Sequence, residues 1–311
     1  MNLIITGGLG HIGSYLIRYF ADQDKISSIT IVDSLITQRI ASLFNLPTGM
    51  NYHFIEKDVR ELQLSDLNLA GEDTVCIHLA AITDAAASFS ISEELFKNNY
   101  ESTLAVIKLC IENDFCLIFP STTSVYGTQE LLVAEDCLDL KPQSPYAECK
   151  LLEEKAIVDA CNLGMKGVIL RLGTIHGISP GIRFHTAVNK FCYLASTGKP
   201  LTVWRSAMKQ MRPYLALSDA SRAISHVIEK NIFDAEIYNV LTMNRTVEEI
   251  VKIIEKTKKV EIEYVENKIM NQLSYEVSSK KFVETGFSFN GDIVKDVSDT
   301  MRLFESLDHE F

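Results

Sequence analysis

The stretch Leu3-Ile4-Ile5-Thr6-Gly7-Gly8-Leu9-Gly10-His11-Ile12-Gly13 decides the fold. Its first four residues favour a strand, and the glycines that follow favour a tight turn. The apolar spacing of residues 14–21 then indicates a helix. In such a unit the glycines let the backbone approach a pyrophosphate, and the helix amino terminus favours the anion. The stretch therefore predicts a dinucleotide-binding turn, with contacts from Gly7, Gly10, His11, Ile12 and Gly13.

A carboxylate follows this turn at the expected distance. A second apolar strand, residues 29–32, ends at Asp33, which lies 20 residues after Gly13. A carboxylate at that position accepts hydrogen bonds from the adenosine ribose hydroxyls and repels a 2′-phosphate. Because the first arginine after Asp33 is Arg39, the sequence favours NAD over NADP as cofactor.

Strand-like and helix-like segments alternate through the first half of the chain. This alternation predicts an α/β fold, with a doubly wound parallel sheet of the Rossmann type between layers of helices. Strands are expected at about 52–55, 74–79, 116–119 and 168–172, and helices at 92–113 and 145–162. Ligands of such sheets bind beyond the carboxyl ends of the strands, where the chain has Asp58, Val59, Leu79, Ala80, Ala81, Ser121 and Thr122.

The chain changes character after Gly173, where glycine and proline separate shorter elements. A smaller α/β carboxyl-terminal substrate domain is expected there. We assign residues 1–173, with a return segment at about 215–242, to the dinucleotide-binding domain, and residues 174–214 and 243–311 to the substrate domain. Within the latter, a capping box opens a helix at Thr246, strands are expected at 262–265 and 273–277, and a last helix at about 292–306.

Composition excludes several classes of protein. A formal net charge of −11 argues against nucleic acid or an anionic membrane surface as a partner. There is no signal-peptide core and no apolar stretch of the roughly 20 residues that a membrane span needs, which predicts a cytoplasmic protein. Seven cysteines without a CxxC pair indicate reduced core thiols, and no metal site is expected because ligand spacing is absent.

Tyr146 and Lys150 form a candidate catalytic pair. Ser144-Pro145 supplies an N-cap and a first-turn proline, so the pair lies on one face of a helix, one turn apart. The ammonium of Lys150 is expected to lower the pKa of Tyr146 from about 10 to roughly 7, at roughly 4 kcal/mol, which makes the phenol a proton acceptor. The same spacing recurs at Tyr264 and Lys268 in a strand-like segment, so the spacing is informative only in context.

Together these motifs resemble the extended short-chain dehydrogenase/reductase family, and within it the NAD-dependent nucleotide-sugar epimerases and dehydratases. The resemblance covers nearly the whole chain and rests on the glycine triplet, Asp33, Asp58-Val59, Leu79 to Ala81, Asn99 to Thr103, Ser121 to Gly127, the Tyr146/Lys150 pair and Arg171 to Gly177. It implies a Rossmann domain that binds NAD, with Asn99, Tyr146 and Lys150 among the contacts. It also implies a nucleotide-sugar domain and a homodimer or higher homo-oligomer formed through helices.

The resemblance also implies catalytic roles. Thr122 matches the family's catalytic Ser/Thr, Tyr146 its base, and Lys150 the lysine that also binds the nicotinamide ribose. Tyrosinate would take the hydroxyl proton while the carbinol hydrogen leaves as hydride, and Thr122 would orient the sugar oxygen. The 4,6-dehydratases carry an Asp and a Glu after this threonine, whereas this chain has Thr123 and Ser124. Oxidation at a ring carbon, carbon 4 in first place, is therefore expected without elimination of water.

Two outcomes of that oxidation stay open. The ketone is reduced on its other face, as in an epimerase, or released, as in a 4-dehydrogenase that must reoxidise tightly bound NADH. A third hypothesis is an idle NAD-binding regulator, which should have lost part of the Thr, Tyr and Lys set that this chain retains. The sequence leaves the sugar and its nucleotide open.

Nine residues are expected to contact the substrate. Arg212 matches the family's diphosphate-binding arginine, whose guanidinium suits phosphate oxygens. Thr174 stands where many members have Asn, and no second such arginine is evident near 273–275. The nine are Thr83, Asp84, Thr122, Thr174, His176, Arg183, His185, Asn189 and Arg212. His78 and Trp204 are expected in the core.

Overall fold

The computed structural model describes residues 1–69, 73–129, 132–265 and 274–307. The strands in these ranges are β1 (Asn2–Thr6), β2 (Ser28–Asp33), β3 (Asn51–Glu56), β4 (Thr74–His78), β5 (Cys116–Thr122), β6 (Gly167–Leu172), β7 (Thr174–His176), β8 (Leu201–Trp204), β9 (Met211–Ala216), β10 (Ile237–Val240), β11 (Met243–Thr246) and β12 (Ile262–Val265). The helices are α1 (His11–Ala21), α2 (Ser92–Asn113), α3 (Pro145–Asn162), α4 (Ala187–Ser196), α5 (Leu217–Lys230), α6 (Val247–Glu255), α7 (Lys280–Glu284) and α8 (Ile293–Arg302).

Seven parallel strands form the central sheet, in the order β10-β6-β5-β4-β1-β2-β3. β1 pairs with β2 on one side and with β4 on the other, so the chain winds outward in both directions from β1. This confirms the predicted doubly wound α/β fold. Its topological switch point lies at the carboxyl ends of β1 and β4, where ligands of such sheets bind.

Alternate side chains of the central strands fill two separate cores. Leu3 and Ile5 of β1 pack with α1 and α5, whereas Ile4 packs with α2 and α3 on the opposite face. Because side chains alternate across a strand, one continuous apolar run serves both layers. His78 is buried in this sheet, as the sequence predicts.

The remaining strands form two small sheets, ordered β11-β9-β7 and β12-β8. Apolar residues of α4, α6 and α8, such as Phe191, Ile250 and Val297, make a third core beside them, and Trp204 is half-buried against it. The segment 215–242 supplies β10 to the central sheet and α5 to the core on one of its faces. Phe282 and Phe287 pack into the same core beneath α5.

The described part of the predicted 273–277 strand is not a strand. Leu273 lies outside the described residues, as does Lys268 of the second Tyr/Lys pair. Tyr275 donates from its backbone to Met211 O at 3.0 Å, while Val277 makes an isolated bridge to Val133. The segment thus bonds to β9 at one residue and to Val133 at another. Its apolar residues Tyr275 and Val277 are buried in a small cluster instead of a sheet.

The capping box predicted at Thr246 is confirmed. Thr246 Oγ1 accepts from Glu249 N at 3.2 Å and Glu249 Oε2 accepts from Thr246 N at 2.8 Å, which is the capping box at the start of α6. All seven cysteines lie in described segments and are free thiols. Within the described ranges, no helix is both long enough and apolar enough to cross a membrane. No group of three potential His, Cys, Asp or Glu metal ligands occurs in them either.

Candidate active site

The glycine-rich turn is pressed against the end of β4. Gly7 has φ of +63°, and a Cβ atom there would lie 2.6 Å from the backbone nitrogen of Ala80. A Cβ at Gly13 would lie 2.6 Å from Gly8 O. Both contacts are too close for any side chain, so glycine is needed at both positions. The turn leads directly into the amino terminus of α1, which is the arrangement that binds a pyrophosphate.

Asp33 faces this turn from the end of β2. Its Oδ2 accepts from Leu9 N at 3.0 Å and its Oδ1 accepts from Leu35 N at 3.0 Å. Each oxygen keeps a further lone pair for a ribose hydroxyl. Asp58, at the end of β3, is held by Arg60, whose hydrogen bond lowers the pKa of that carboxyl, and the adjacent Val59 is buried.

His11 joins the turn to the loop that follows β7. Its Nε2 lies 2.9 Å from Gly177 O, and since a carbonyl can only accept, Nε2 carries the proton. Burial lowers the pKa of His11 to about 4, so the ring is neutral. Gly181 N donates to Ser14 Oγ at 2.9 Å in the same contact. The side chain of His11 is thus engaged within the protein, which leaves its backbone for the predicted cofactor contact.

Asn99 holds the loop that follows Ala80 and Ala81. It is fully buried, and its amide accepts from Ile82 N at 2.8 Å and donates to Ile82 O at 2.9 Å. In that loop Asp84 accepts from the backbone nitrogens of Ala86 and Ala87, at 3.0 and 2.9 Å. Asn99 therefore shapes the wall of the site, and Asp84 caps a turn in it.

The predicted catalytic residues lie at the carboxyl end of β5 and on the first turns of α3. Ser144 caps α3 by accepting from Ala147 N at 3.2 Å, which fixes the start of the helix at Pro145. The buried Lys150 ammonium lies 4.3 Å from the ring centroid of Phe119, three residues before Thr122 on β5. Thr122 is half-buried, and its Oγ1 accepts from Ser124 N at 3.1 Å.

The charges around Tyr146 oppose one another. Burial raises the pKa of Tyr146, the positive charges of Lys150 and Arg183 act to lower it, and Glu153 acts to raise it. The net shift is upward, so the expected fall of the Tyr146 pKa toward neutrality is wrong, because desolvation of the phenolate outweighs the effect of Lys150. Burial acts to lower the pKa of Lys150, but Glu153 and Tyr146 reverse this, and it is raised overall.

Glu153 is the neighbour that the sequence interpretation missed. Its carboxylate is fully buried, and Oε2 lies 3.3 Å from Lys150 Nζ. The signal was available, since positions three residues apart share a helix face. Glu154, next to it, pairs instead with Arg171 on β6 at 2.7 Å and accepts from Ser121 Oγ at 2.5 Å. The two adjacent buried carboxylates thus pair with different cations, Glu153 with Lys150 and Glu154 with Arg171.

Arg183 reaches across the site from the substrate side. It donates to Thr83 Oγ1, and its Nη2 would lie 3.8 Å from a Cβ on Gly10. The guanidinium is near enough to Tyr146 and Asp84 to interact with both electrostatically. His185 is exposed and lies close to Arg183. Arg183 therefore connects the glycine-rich turn, the Thr83 loop and Tyr146.

The placements of His176 and Asn189 do not support the predicted substrate contacts. His176 is fully buried, and its Nδ1 lies 2.8 Å from Asp296 of α8, which covers this end of β7. Asn189 is also buried, and its amide accepts from Gly177 N at 3.4 Å and donates to Arg183 O at 3.1 Å. Both are therefore assigned to packing of the loop at 177–183. Thr174 is half-buried on β7.

Arg212 lies on β9, opposite Arg245 of β11 in the strand register. Its Nη2 donates to Gln210 Oε1 at 3.1 Å, while its buried Nε has no hydrogen-bond partner among the described residues. Arg245 is half-exposed and pairs with Glu249 at 3.3 Å. Arg212 thus keeps a donor for an anionic ligand, as a phosphate contact requires.

Residues 3–240 match the profile of the NAD dependent epimerase/dehydratase family. The chain belongs to this family. The resemblance inferred from the motifs is confirmed, and NAD is the cofactor. The cofactor site fits that assignment, because Gly7 leaves room for backbone approach at the amino terminus of α1 and Asp33 presents a carboxylate beside it.

Relatives within the epimerase/dehydratase family are moderately similar. The uncharacterized UDP-glucose epimerase YtcB of Bacillus subtilis strain 168 is 29% identical over 265 residues, which are 82% of this chain and 81% of that protein. A trifunctional enzyme of Arabidopsis thaliana, RHM2, which includes a UDP-glucose 4,6-dehydratase, is 28% identical over 306 residues. The match covers 92% of this chain and 44% of RHM2, so this chain spans less than half of that relative.

Solved structures share the fold along the whole chain. UDP-glucuronic acid 4-epimerase from Bacillus cereus, in complex with UDP-glucuronic acid and NAD, superposes with a TM-score of 0.84 at 24% identity, covering 97% of this chain and 99% of that one. UDP-N-acetylglucosamine 4-epimerase from Methanobrevibacter ruminantium M1 gives a TM-score of 0.86 at 22% identity and 98% coverage of both chains. These similarities confirm the predicted fold class of this family member.

Proposed function

We propose that this protein is an NAD-dependent nucleotide-sugar 4-epimerase. The observation that carries the proposal is the arrangement of Thr122, Tyr146 and Lys150 at one edge of the sheet, beside the glycine-rich turn, with no carboxylic acid directly after Thr122. The pair on α3 provides a base and its cation, and β5 provides a hydroxyl to orient the substrate. These are the groups that reversible oxidation of a secondary alcohol needs.

The roles follow from the contacts. In the reaction Tyr146 takes the proton of the sugar hydroxyl, and the Lys150 ammonium stabilises the phenolate. Thr122 is held by Ser124 in an orientation that lets its Oγ1 meet the same sugar oxygen. NAD, when bound, would supply the acceptor for the carbinol hydrogen as hydride and the donor for its return. The reaction is an epimerisation when the keto sugar rotates in the site before the hydride returns, so that the opposite face of the ketone is reduced. Tyr146 then returns the proton to the sugar oxygen.

Elimination of water is disfavoured by the two residues after Thr122. Thr123 is buried and donates from its hydroxyl to Leu172 O at 3.2 Å, and Ser124 contacts Thr122. Neither carries an acid that could protonate a leaving hydroxyl group. This argument separates the proposed reaction from the dehydratase reactions that occur within the family.

Arg212 supports a diphosphate-linked substrate. The chain has a net charge of −11, so an anionic substrate must be held by local cations. Arg212 lies at the start of β9, and its Nε has no hydrogen-bond partner among the residues that the structure describes. The names of YtcB and of the two solved epimerases refer to UDP-sugars, which supports uridine as the nucleotide of the proposed substrate.

The test is a substrate panel that separates the two reaction outcomes. Purified protein with NAD is incubated with UDP-, GDP- and dTDP-sugars, while NADH absorbance and the configuration of the recovered sugar are followed. We expect a C4 epimer of a UDP-sugar without net NADH. Stoichiometric NADH with a released ketone would instead establish the 4-dehydrogenase, and no conversion of any sugar would overturn both. Tyr146→Phe is the matched control, since it removes only the hydroxyl that the reaction uses.

A further inference from the structure

Glu153 lies next to the candidate catalytic pair on α3. Its side chain reaches neither solvent nor the open side of the site. Its side chain is fully buried on α3, and Oε2 faces Lys150 Nζ at 3.3 Å. The other oxygen, Oε1, accepts from Thr103 Oγ1 of α2 at 2.5 Å. One carboxylate therefore joins the catalytic lysine to the neighbouring helix.

The hydrogen bonds beyond Thr103 all point toward this carboxylate. Thr103 donates its hydroxyl proton to Glu153, so its Oγ1 must accept from His78 Nε2, 3.3 Å away. His78 is neutral, because burial and then the charge of Lys150 lower its pKa to about 3. Its Nδ1 thus accepts from Thr6 Oγ1 at 2.7 Å. Because each hydrogen bond in this series donates toward Glu153, the series must end on an acceptor. The ionised carboxylate of Glu153 is that acceptor.

The chain of contacts spans the site. Thr6 ends β1, directly before Gly7, and its hydroxyl accepts from Ala80 N at 3.3 Å. From there the bonds cross β4 and α2 and reach α3 at Glu153. The polar network therefore begins at the glycine-rich turn and ends at the lysine ammonium. Buried networks of this kind fix the groups that they connect.

Few other charges face the pair. Arg183 approaches Tyr146 from the substrate side, and Cys149 is the neighbouring titratable group on α3. His78 is neutral, and Phe119 of β5 presents an uncharged ring to Lys150. Among the groups that face the Lys150 ammonium, Glu153 is the carboxylate, and burial strengthens its effect because the surroundings screen little.

We propose that Glu153 is a positioning residue of this site: it holds the Lys150 ammonium in place as a buried ion pair and sets the charge that Tyr146 experiences. The inference rests on the proposed function only in that Tyr146 and Lys150 are the reacting pair. Glu153 keeps the ammonium protonated in a dry pocket. It also offsets part of the positive charge that would otherwise favour the phenolate.

Glu153→Gln tests the proposal, since it keeps size and hydrogen-bonding capacity but removes the charge. Without the carboxylate the Tyr146 phenolate is disfavoured less, and the Lys150 ammonium loses its counter-ion. We therefore expect Tyr146 to ionise at a pH about one unit lower in the holoenzyme, and the alkaline loss of activity to move down as well. Both limbs of the pH profile of kcat/KM should move in the same direction, which a purely structural role would not produce.

Ionisation of Tyr146 is followed without any substrate. The near-ultraviolet absorbance of phenolate is titrated in the NAD-bound protein, and the same titration of Tyr146→Phe is subtracted. This readout stands even if no sugar in the panel is converted, so failure of the inference and failure of the proposed function are distinguishable.

Two further variants complete the design. Glu148→Gln removes the same charge from an exposed position on α3 and should leave the Tyr146 titration unchanged. Glu153→Asp retains the charge and should restore the titration toward that of the unmodified protein. If Glu153→Gln binds NAD but titrates like the unmodified protein, the proposal is overturned. The same conclusion follows if Glu148→Gln shifts the titration equally.

Discussion

The buried ion pair between Arg171 and Glu154 gives the most direct test of how the site is supported. Their side chains are 3% and 5% exposed, and the guanidinium meets both carboxylate oxygens, with Nε 3.0 Å from Oε1 and Nη2 2.7 Å from Oε2. Ser121, the residue before Thr122, donates to the same carboxylate. The pair therefore anchors the end of β5 to α3, and hence Thr122 to the helix of Tyr146.

We expect Glu154→Gln to lower the free energy of unfolding by about 3–5 kcal/mol, the usual result of leaving one charge of a buried pair uncompensated. In the variant the glutamine NH₂ group would face a guanidinium N–H, so one of the two contacts becomes repulsive. Arg171 keeps the contact to the remaining amide oxygen and the bond to Tyr126 OH at 3.0 Å. The double variant Glu154→Leu with Arg171→Met removes both charges and should recover most of the loss. The expected coupling energy is about 2 kcal/mol or more.

Urea unfolding at a fixed NAD concentration, followed by circular dichroism, measures these differences as a change in midpoint at constant slope. Asp159→Asn is the matched control, because it breaks a fully exposed ion pair to Lys155 on the same helix and should have no measurable effect. A loss below about 1 kcal/mol for Glu154→Gln would refute the reasoning. A loss in the double variant equal to the sum of the losses in Glu154→Leu and Arg171→Met alone would show that the two residues act independently.

Three other predictions concern catalysis, pH and assembly. Tyr146→Phe should reduce kcat by about 10²–10⁴-fold, because it removes the proton acceptor, while the affinity for NAD measured by calorimetry stays the same. The pKa of His11 is about 4 against an ordinary 6.5, so folding is favoured above 6.5 and loses this contribution as the pH falls toward 4. His11→Gln should thus abolish about 2 kcal/mol of the stability difference between neutral pH and about pH 5, measured by urea unfolding. The predicted homodimer would use the exposed apolar residues Leu104 of α2 and Leu152 of α3. Leu104→Glu should therefore yield a monomer in sedimentation velocity. Identical sedimentation of the variant and the unmodified protein would count against this interface.

Much of this architecture follows from local patterns. Helix α2 begins and ends where its apolar spacing predicts, and the turn from Gly7 to Gly13 needs glycine for reasons that spacing alone conveys. Residues far apart in sequence were harder to place. Nothing local shows that α8 covers His176, since the contact joins positions 120 residues apart. The same holds for Phe282, which packs beneath α5 although it follows the substrate-side segments.

The electrostatics of the site could be predicted only in part. The helix spacing identified the effect of Lys150 on Tyr146 correctly in sign, but desolvation by burial depends on what packs around the ring. Glu153 has the spacing of an ordinary surface ion pair. Its significance comes from α2, which excludes water from the carboxylate and supplies Thr103.

The contacts between the glycine-rich turn and the loop at 177–183 limit how this enzyme can diversify. His11 bonds to Gly177, and Ser14 and Arg39 bond to Gly181, so the first loop of the substrate side is fastened to the cofactor turn at several points. A longer or bulkier loop here would therefore also disturb the cofactor turn. For the proposed reaction, we expect changes of sugar specificity at positions without these contacts, such as Thr174 on β7 and the exposed His185.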